Sequence, residues 1–514
     1  MNLKYYLLIF QLEAYRTARF LNWVARHYLR FEEQKTKEPV WTTKAKLLYC
    51  FAIALFWLTV IYLYFACSFF VFAILTVVLW LNIFIFLPLA LLLLLPYEII
   101  NRIRVKYLIE KKVEDLKKST GLKVIGITGS YGKTSTKLIL HELLPKSLIT
   151  PKSFNTLFGI WKVVDYELNK RYRYFVCEMG AYKRGDVKEF CELVHPNIAV
   201  LTGINEQHLE RFGSIENTIQ AKFEVLTGTV DGGIGIVNLD NQLVRENLKN
   251  FDNTVKRAPI RIIISGKQRD YSLPPEQAQE ELQMLLRESH EKPNKPRIKL
   301  IGYTTENQQS EQCQEILAAT NWRVENNQTV CEITHEEQTY NLTTPLIGRG
   351  HLSNILAGIA VSISCGEDIN KILERASKLK QIPHRLELRA MPGLTILDDT
   401  YSSNPTGFRE ALDALGRFDG KKVLVTPGIV ELGEKAIDIH EEIGSLAAKF
   451  CDEIVLVGNS KNIEAMQDSI LSTGYTKDKI TRLPNRTAAQ ELLRDRANSN
   501  QVILMENDLP DQYL

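Results

Sequence analysis

Between Leu47 and Tyr97 the chain contains no Asp, Glu, Lys or Arg. As one helix, those 51 residues would reach about 76 Å, whereas a bilayer's hydrocarbon core is about 30 Å thick and is crossed by about 20 residues. The run is therefore read as two spans, near Leu47–Ala66 and Phe69–Leu95, turning around Cys67 and Ser68. Lys44 and Lys46 precede it, and Arg102, Arg104 and Lys106 follow. Positive charge at both ends predicts a hairpin with both termini in the cytoplasm. A buried hairpin of a soluble protein is the poorer reading over so long an uncharged stretch. A cleaved signal peptide fits badly, because the apolar run starts late and no small-residue cleavage site follows.

The other charges sort around this run. Residues 1–46 carry nine Lys and Arg against four Asp and Glu, and residues 98–118 carry seven against four. The remaining 396 residues are acidic, at −5, although the whole chain of 514 sums to only +3. That balance argues against nucleic acid as a partner. It describes an acidic soluble enzyme behind a basic, membrane-embedded front. Arg16, Arg19, Arg26 and Arg30 fall within about 80° of arc at 100° per residue. They fit either an interfacial helix on anionic lipid or an ordinary solvated helix. Residues 98–118 read as a helix leading out of the bilayer. The eight cysteines include no CxxC pair, so neither a zinc ribbon nor a disulfide framework is indicated.

The chemistry begins after residue 120. A short β-branched run, Lys123–Thr128, leads into Gly129-Ser130-Tyr131-Gly132-Lys133-Thr134-Ser135, and a helical pattern follows. Strand, glycine-rich turn and helix in that order make a phosphate cradle of backbone N–H groups and a helix N-terminus. Lys133 would reach the β- and γ-phosphates of a nucleotide and Thr134 would ligate Mg²⁺. The general pattern asks for glycine at 127, where this chain has Ile. Farther on, Phe175-Val-Cys-Glu178 reads as a buried strand ending in a carboxylate. Beside the loop, its hard oxygens would suit Mg²⁺ together with Thr134.

These motifs, in order from about residue 121 to at least 460, resemble the Mur ligases, which join amino acids or peptides to peptidoglycan precursors. GITGSYGKTS is similar to their ATP loop, and Phe154-Asn155-Thr156-Leu-Phe-Gly159 to their Asn-Asn-x-x-Gly segment. EMGA at Glu178–Ala181 resembles the MurF branch, which adds D-alanyl-D-alanine. So do the block Thr202–Ser214, containing His208, and Asp398-Asp399-Thr-Tyr401-Ser-Ser-Asn404-Pro405. Gly348–Asn354 resembles the G-x-HN-x-x-N segment with Leu352 for its first Asn. His384-Arg385-Leu-Glu resembles the GR-[ML]-E junction with His384 for Gly. Thr426–Glu434 resembles the LGDMLELG region, with Glu431 retained.

The resemblance implies an α/β fold. A central ATP-binding domain (121–385) and a Rossmann-like C-terminal domain (386–514) would follow a basic arm (1–46), the transmembrane hairpin (47–97) and a connecting helix (98–120). It also implies roles. ATP would lie on Gly129, Ser130, Gly132, Lys133, Thr134 and Ser135, with Asn354 near the adenine, Asp399 on the ribose and Arg385 on the γ-phosphate. Two Mg²⁺ ions would be held by Thr134, Glu178, His208 and Lys222. Lys222 would carry a CO₂-derived carbamate that turns a repelling ammonium into a bridging anion. Asn155, Thr156, Tyr401, Asn404 and Glu431 would face substrates.

Catalysis would rest on Lys133, Lys222, His208 and Arg385. An acceptor carboxylate is expected to become an acyl phosphate that a D-Ala-D-Ala-like amine attacks. A soluble MurF-type enzyme begins with a domain gripping the uridine diphosphate end of its precursor. Here residues 1–120 stand in that place, so the acceptor is expected at the membrane, lipid-linked, with a UDP-linked precursor as the alternative. The rival readings are a poly-γ-glutamate synthase-like or lipid-II-modifying ligase, and a non-enzymatic nucleotide-binding membrane scaffold. Residues 265–300 form a polar insertion with no assigned role.

Overall fold

The computed structural model describes residues 3–12, 15, 17–27, 39, 41–151, 156–205, 212–251, 297–391, 393–401, 403–430, 432–494 and 500–506. It forms two compact units, residues 1–106 and 107–514. The first is helical: α1 (Leu3–Leu12), α2 (Thr17–His27), α3 (Thr43–Ala66), α4 (Phe69–Leu81) and α5 (Phe86–Thr120), of which α5 runs on into the second unit. Thr42 starts α3, its hydroxyl accepting from the Ala45 N–H at 3.1 Å; Cys67 ends it in an extended conformation. The return arm runs antiparallel to α3. Tyr64 packs on Phe72 and Phe56 on Phe86, with ring centroids 5.6 and 5.7 Å apart. Lys44 pairs with Glu98 at 2.8 Å.

The expected second span, Phe69–Leu95, is interrupted. Helix stops at Leu81, one 3₁₀ turn covers Ile83–Ile85, and α5 restarts at Phe86. Two residues explain the break. Pro88 has no N–H for the Phe84 carbonyl, which disfavours helix across this point; in the first turn of α5 it is harmless, and farther along α5 accommodates a second proline, Pro96. Asn82 turns its side-chain amide back onto the Val78 carbonyl at 2.9 Å, closing α4. Phe84 at the break is buried under Tyr6 of α1, centroids 5.2 Å apart. The expected separate helix at 98–120 is instead the end of α5. By length and composition, Thr43–Ala66 and Ile83–Thr120 could each cross a membrane. No residue of α4 is buried. Of the four arginines of the basic arc, Arg16 and Arg30 lie outside the described residues, as do the side chains of Arg19 and Arg26.

The second unit contains two sheets. The first has strands β1 (Lys123–Thr128), β2 (Ser147–Ile149), β3 (Tyr174–Glu178), β4 (Ile198–Leu201), β5 (Ile234–Asn238), β6 (Lys299–Thr304), β7 (Glu315–Glu325), β8 (Gln328–His335) and β9 (Gln338–Thr344). Their order is β2-β3-β1-β4-β5-β6-β7-β8-β9, parallel through β7 and antiparallel beyond it. Its helices are α6 (Lys133–Leu143), α7 (Leu157–Tyr166), α8 (Asp186–Val194), α9 (Ile215–Thr227), α10 (Gln242–Leu248), α11 (Arg349–Ser364) and α12 (Ile369–Ala376). Apolar strands such as Ile125–Ile127 and Val200 pack against buried faces of α6 and α11, as strands covered on both faces must.

The second sheet comprises β10 (Glu387–Met391), β11 (Leu394–Asp399), β12 (Lys421–Thr426), β13 (Glu453–Val457), β14 (Ile480–Leu483) and β15 (Gln501–Glu506), in the order β10-β11-β15-β12-β13-β14. All its pairs are parallel except β10 with β11. Helices α13 (Pro405–Gly416), α14 (Ala436–Phe450), α15 (Lys461–Ser472) and α16 (Arg486–Arg494) complete it. Most of the 265–300 insertion lies outside the described residues.

Candidate active site

In a parallel sheet, ligands gather at the carboxyl ends of the strands where the order reverses. Here that point lies at β1, flanked by β3 and β4. The loop leaving β1 requires glycine twice. Gly129 and Gly132 have φ of 154° and 78°, and a Cβ would stand 2.1 Å from Thr202 Oγ1 and 2.7 Å from Asn354 Oδ1, respectively. Gly132 caps α6, so Lys133 is its first residue. The Lys133 ammonium donates to the carbonyls of Gly129 and Ser130 at 2.6 and 3.0 Å. Burial pushes this lysine down to about 8, although Glu178 favours its charge.

Register pairs Ile127 with Glu178, so β3 delivers its terminal carboxylate beside the loop. Thr134 Oγ1 lies 3.2 Å from each Glu178 oxygen. Lys222, on α9, is 3% exposed and makes no hydrogen bond or ion pair among the described residues; its ammonium stands 5.5 Å from the Phe212 ring centroid. Burial, aided by the nearby charge of Lys133, depresses it well below the usual lysine range. Lys133 is thus a charged neighbour of Glu178, Lys222 and Arg385. His208, Asn155 and Glu431 lie outside the described residues.

Sequence reasoning missed Lys137. One turn beyond Lys133 on α6, it is fully buried and pairs with Glu178 Oε2 at 2.8 Å. A lysine in an amphipathic helix reads as a solvated face; only the packing of α6 on β3 reveals otherwise. Removing one partner of a buried pair strands the other charge. Lys137→Met is therefore expected to lower unfolding free energy by about 3–5 kcal/mol, as read by urea titration. A loss under 1 kcal/mol would contradict the pairing.

The C-terminal domain closes the site. His384 and Leu386 both have positive φ, 57° and 45°, and hold Arg385 between them. Non-glycine residues in this left-handed region carry backbone strain. Arg385 stacks on Tyr401, 4.5 Å from its ring centroid, and its carbonyl lies 2.7 Å from His351 Nε2. Burial lowers His351 to about 4, so the ring is neutral, Nε2–H donates, and Nδ1 is left without a partner among the described residues. Asp399 accepts from the Leu386 N–H at 3.0 Å. Asn404 caps α13 and accepts from Asn205 Nδ2 at 2.7 Å, and Asn205 N in turn binds the Ser130 hydroxyl at 3.2 Å. This chain of contacts ties the C-terminal domain to the phosphate loop.

Between the two domains lies a cavity whose lining includes Tyr131, Ser135, Asn354, Arg385, Asp399 and Glu410. Thr136 Oγ1 donates to Asn354 Oδ1 at 3.0 Å, which orients the amide. Thr156, by contrast, is exposed and caps α7, its hydroxyl accepting from Gly159 N at 3.3 Å. Leu352 is core. Asp240 is consumed by Thr304, Thr305 and Glu306 at the end of β5. Among the described residues, a His384–Glu387–Asp398 cluster has ligand atoms close enough for a metal. Arg389 already binds both of its carboxylates, at 2.8 and 2.9 Å.

Known proteins agree with this architecture. Residues 127–273 match the Mur ligase middle domain, and residues 384–506 the Mur ligase glutamate ligase domain. UDP-N-acetylmuramoyl-tripeptide–D-alanyl-D-alanine ligase of Mycobacterium leprae is 26% identical over 407 residues, covering 75% of this chain and 71% of that one. The Escherichia coli enzyme of the same name is 26% identical over 379 residues, 72% of each. In fold, the chain matches MurF of Acinetobacter baumannii (TM-score 0.60, 22% identity, 79% of this chain and 77% of that one). It matches MurF of Thermotoga maritima in complex with ADP equally well (TM-score 0.60, 22% identity, 80% and 81%). Both domain matches, on the two sheets that build the cleft, make this chain a member of the Mur ligase family, alongside ligases of MurF type.

Proposed function

We propose that the chain is a membrane-anchored, ATP-dependent ligase that extends a peptidoglycan precursor with a D-Ala-D-Ala-like dipeptide. The observation that carries this reading is the phosphate loop itself: Lys133 opens α6 after Gly132, Thr134 Oγ1 lies 3.2 Å from each Glu178 oxygen, and Lys222 and Arg385 are charged neighbours of Lys133. The glycine loop and the α6 N-terminus take the polyphosphate. Lys133 exchanges its two loop carbonyls for phosphate oxygens, and Arg385 meets the γ-phosphate. An acceptor carboxylate attacks the γ-phosphorus, giving an acyl phosphate and ADP. The incoming amine then attacks the acyl carbon, expelling phosphate as the amide forms. Lysine and arginine act mainly through charge placed where it develops. The closed cleft keeps water from the acyl phosphate.

The donor set of Thr134 hydroxyl and Glu178 carboxylate fits Mg²⁺. With His208 and Lys222 these residues would hold two such ions, which neutralise phosphate charge when bound. For Lys222 the reading requires a carbamate. Burial and the charge of Lys133 favour the neutral amine of Lys222, against the opposing charges of Asp186 and Glu224, and a neutral amine adds to CO₂, forming an N–C bond and releasing a proton.

Membrane attachment rests on the apolar helices ahead of the family match. At the tip of the α3–α4 turn, Phe65 and Phe69 are 81% and 83% exposed, an arrangement that water disfavours and lipid accommodates. We place the acceptor on a lipid carrier. Purified full-length protein, given lipid-linked and UDP-linked acceptors in parallel, is expected to favour the lipid-linked one. A clear preference for the soluble precursor would contradict this, and ligation of glutamate in place of dipeptide would contradict the assigned amine.

A further inference from the structure

We propose that His384 is a positioning residue: through its bond to Asp398 it holds Arg385 in the orientation that phosphoryl transfer needs. This rests on the reading of the chain as an ATP-dependent ligase in which Arg385 meets the γ-phosphate. The residues on either side of Arg385 are each tied to one member of the acidic pair that ends β11. His384 Nδ1 lies 2.9 Å from Asp398 Oδ2, and the Leu386 N–H donates to Asp399 Oδ1 at 3.0 Å. The backbone of His384 is held as well. Its N–H donates to Glu387 Oε2 at 3.0 Å, and its carbonyl accepts from the Tyr401 N–H at 3.2 Å. Tyr401 is the ring on which the Arg385 guanidinium stacks. Both flanks of Arg385 and its stacking partner are thus fastened to the end of β11 and the turn that follows.

The side chain of His384 matters here as well as its backbone. At a φ of 57° glycine would be unstrained, and glycine is what the GR-[ML]-E junction has at this place. Histidine keeps the conformation at a cost, and the bond to Asp398 is the contact that offsets it. Nδ1 carries the hydrogen of that bond. Asp398 already accepts from Arg389 at 2.9 Å and, on Oδ1, from the Thr400 hydroxyl at 2.6 Å. With its proton spent on Asp398, the Thr400 oxygen, 3.3 Å from Nδ1, is an acceptor too. Those other donors have a second consequence. The Asp398 side chain is 5% exposed and that of His384 49%, so removing the imidazole leaves the buried carboxylate still paired with Arg389. Loss of His384 therefore strands no buried charge, and its effect falls on the placement of Arg385 and not on folding.

The test compares wild type with His384→Gly and His384→Asn, each full-length in detergent. Ligation is measured with ATP, Mg²⁺, D-Ala-D-Ala and whichever acceptor, lipid-linked or UDP-linked, wild type extends faster. Glycine accepts the left-handed backbone but brings no side chain. Asparagine tolerates that conformation too, and its Nδ2 stands as many bonds from the backbone as the imidazole Nδ1, so it reaches Asp398 as a donor. His384→Gly is expected to lower kcat about 10-fold or more, with KM for ATP within about 2-fold of wild type and the thermal midpoint unchanged. His384→Asn should recover most of the lost kcat. A kcat within about 2-fold of wild type in His384→Gly, a loss confined to KM, or a folded His384→Asn no more active than His384→Gly would overturn the assignment and leave the ligase reading standing. A wild type that forms no amide from either acceptor would overturn that reading, and the assignment with it.

Discussion

Lys133→Ala is expected to reduce ATP-driven amide formation by about 10³-fold or more, with the fold retained. Its ammonium now rests on the carbonyls of Gly129 and Ser130, at 2.6 and 3.0 Å. These are neutral partners for a half-buried cation, and ones a polyphosphate readily replaces. The same residue gives a pH signature. Its folded value, about 8, lies below the ordinary 10.5, so between these two pH values the unfolded chain binds more protons. Stability of the nucleotide-free protein should therefore rise across that window. Lys133→Met should flatten the rise. ATP binding near pH 8.5 should be accompanied by proton uptake, read by calorimetry in buffers of different ionisation enthalpy. Ligation persisting in Lys133→Ala at more than a tenth of the wild-type rate would contradict the role.

The second large effect is at Lys222. Lys222→Ala should also abolish ligation, yet it should not weaken folding as Lys137→Met does. The two buried lysines differ in one respect. Lys137 pairs directly with Glu178 at 2.8 Å, whereas Lys222 makes no ion pair among the described residues: its ammonium faces the Phe212 ring, with Asp186 and Glu224 as carboxylates beyond ion-pair distance. Losing Lys222 breaks no direct ion pair among the described residues. Short carboxylates such as formate or acetate, supplied in solution, should restore part of the activity by standing in for the carbamate. Full activity of Lys222→Ala without any additive would contradict the carbamate role.

The comparison of residues explains what sequence could reveal. The phosphate loop was legible because its chemistry is local: Gly129 and Gly132 take conformations that only glycine tolerates, and Lys133 follows at fixed spacing. Glu178 was legible as the end of a buried strand, which the register with β1 brings beside that loop. Lys137 was not legible. It sits in an amphipathic helix where a charged residue usually meets water, and it is buried by a partner remote in sequence, Glu178.

The break at Asn82–Ile85 illustrates a different blindness. Mean hydropathy counts Pro88 and Asn82 as minor blemishes in an apolar run, while backbone hydrogen bonding makes them decisive. Residues 98–118 are likewise the end of a longer helix, since α5 begins at Phe86 and runs through Pro96 to Thr120. The tie from Asn205 to Asn404 belongs to neither motif alone and emerges only once the domains are folded together.

The central claim is that this chain couples ATP cleavage to C–N bond formation on a precursor met at the membrane. It is tested most directly by mass analysis of products formed by the full-length protein in detergent with ATP, Mg²⁺, D-Ala-D-Ala and a panel of acceptors. The predicted result is an ATP-dependent product heavier than its acceptor by the dipeptide less one water, with one ADP released per bond formed. Nucleotide binding or hydrolysis with no amide product from any acceptor or amine would contradict it.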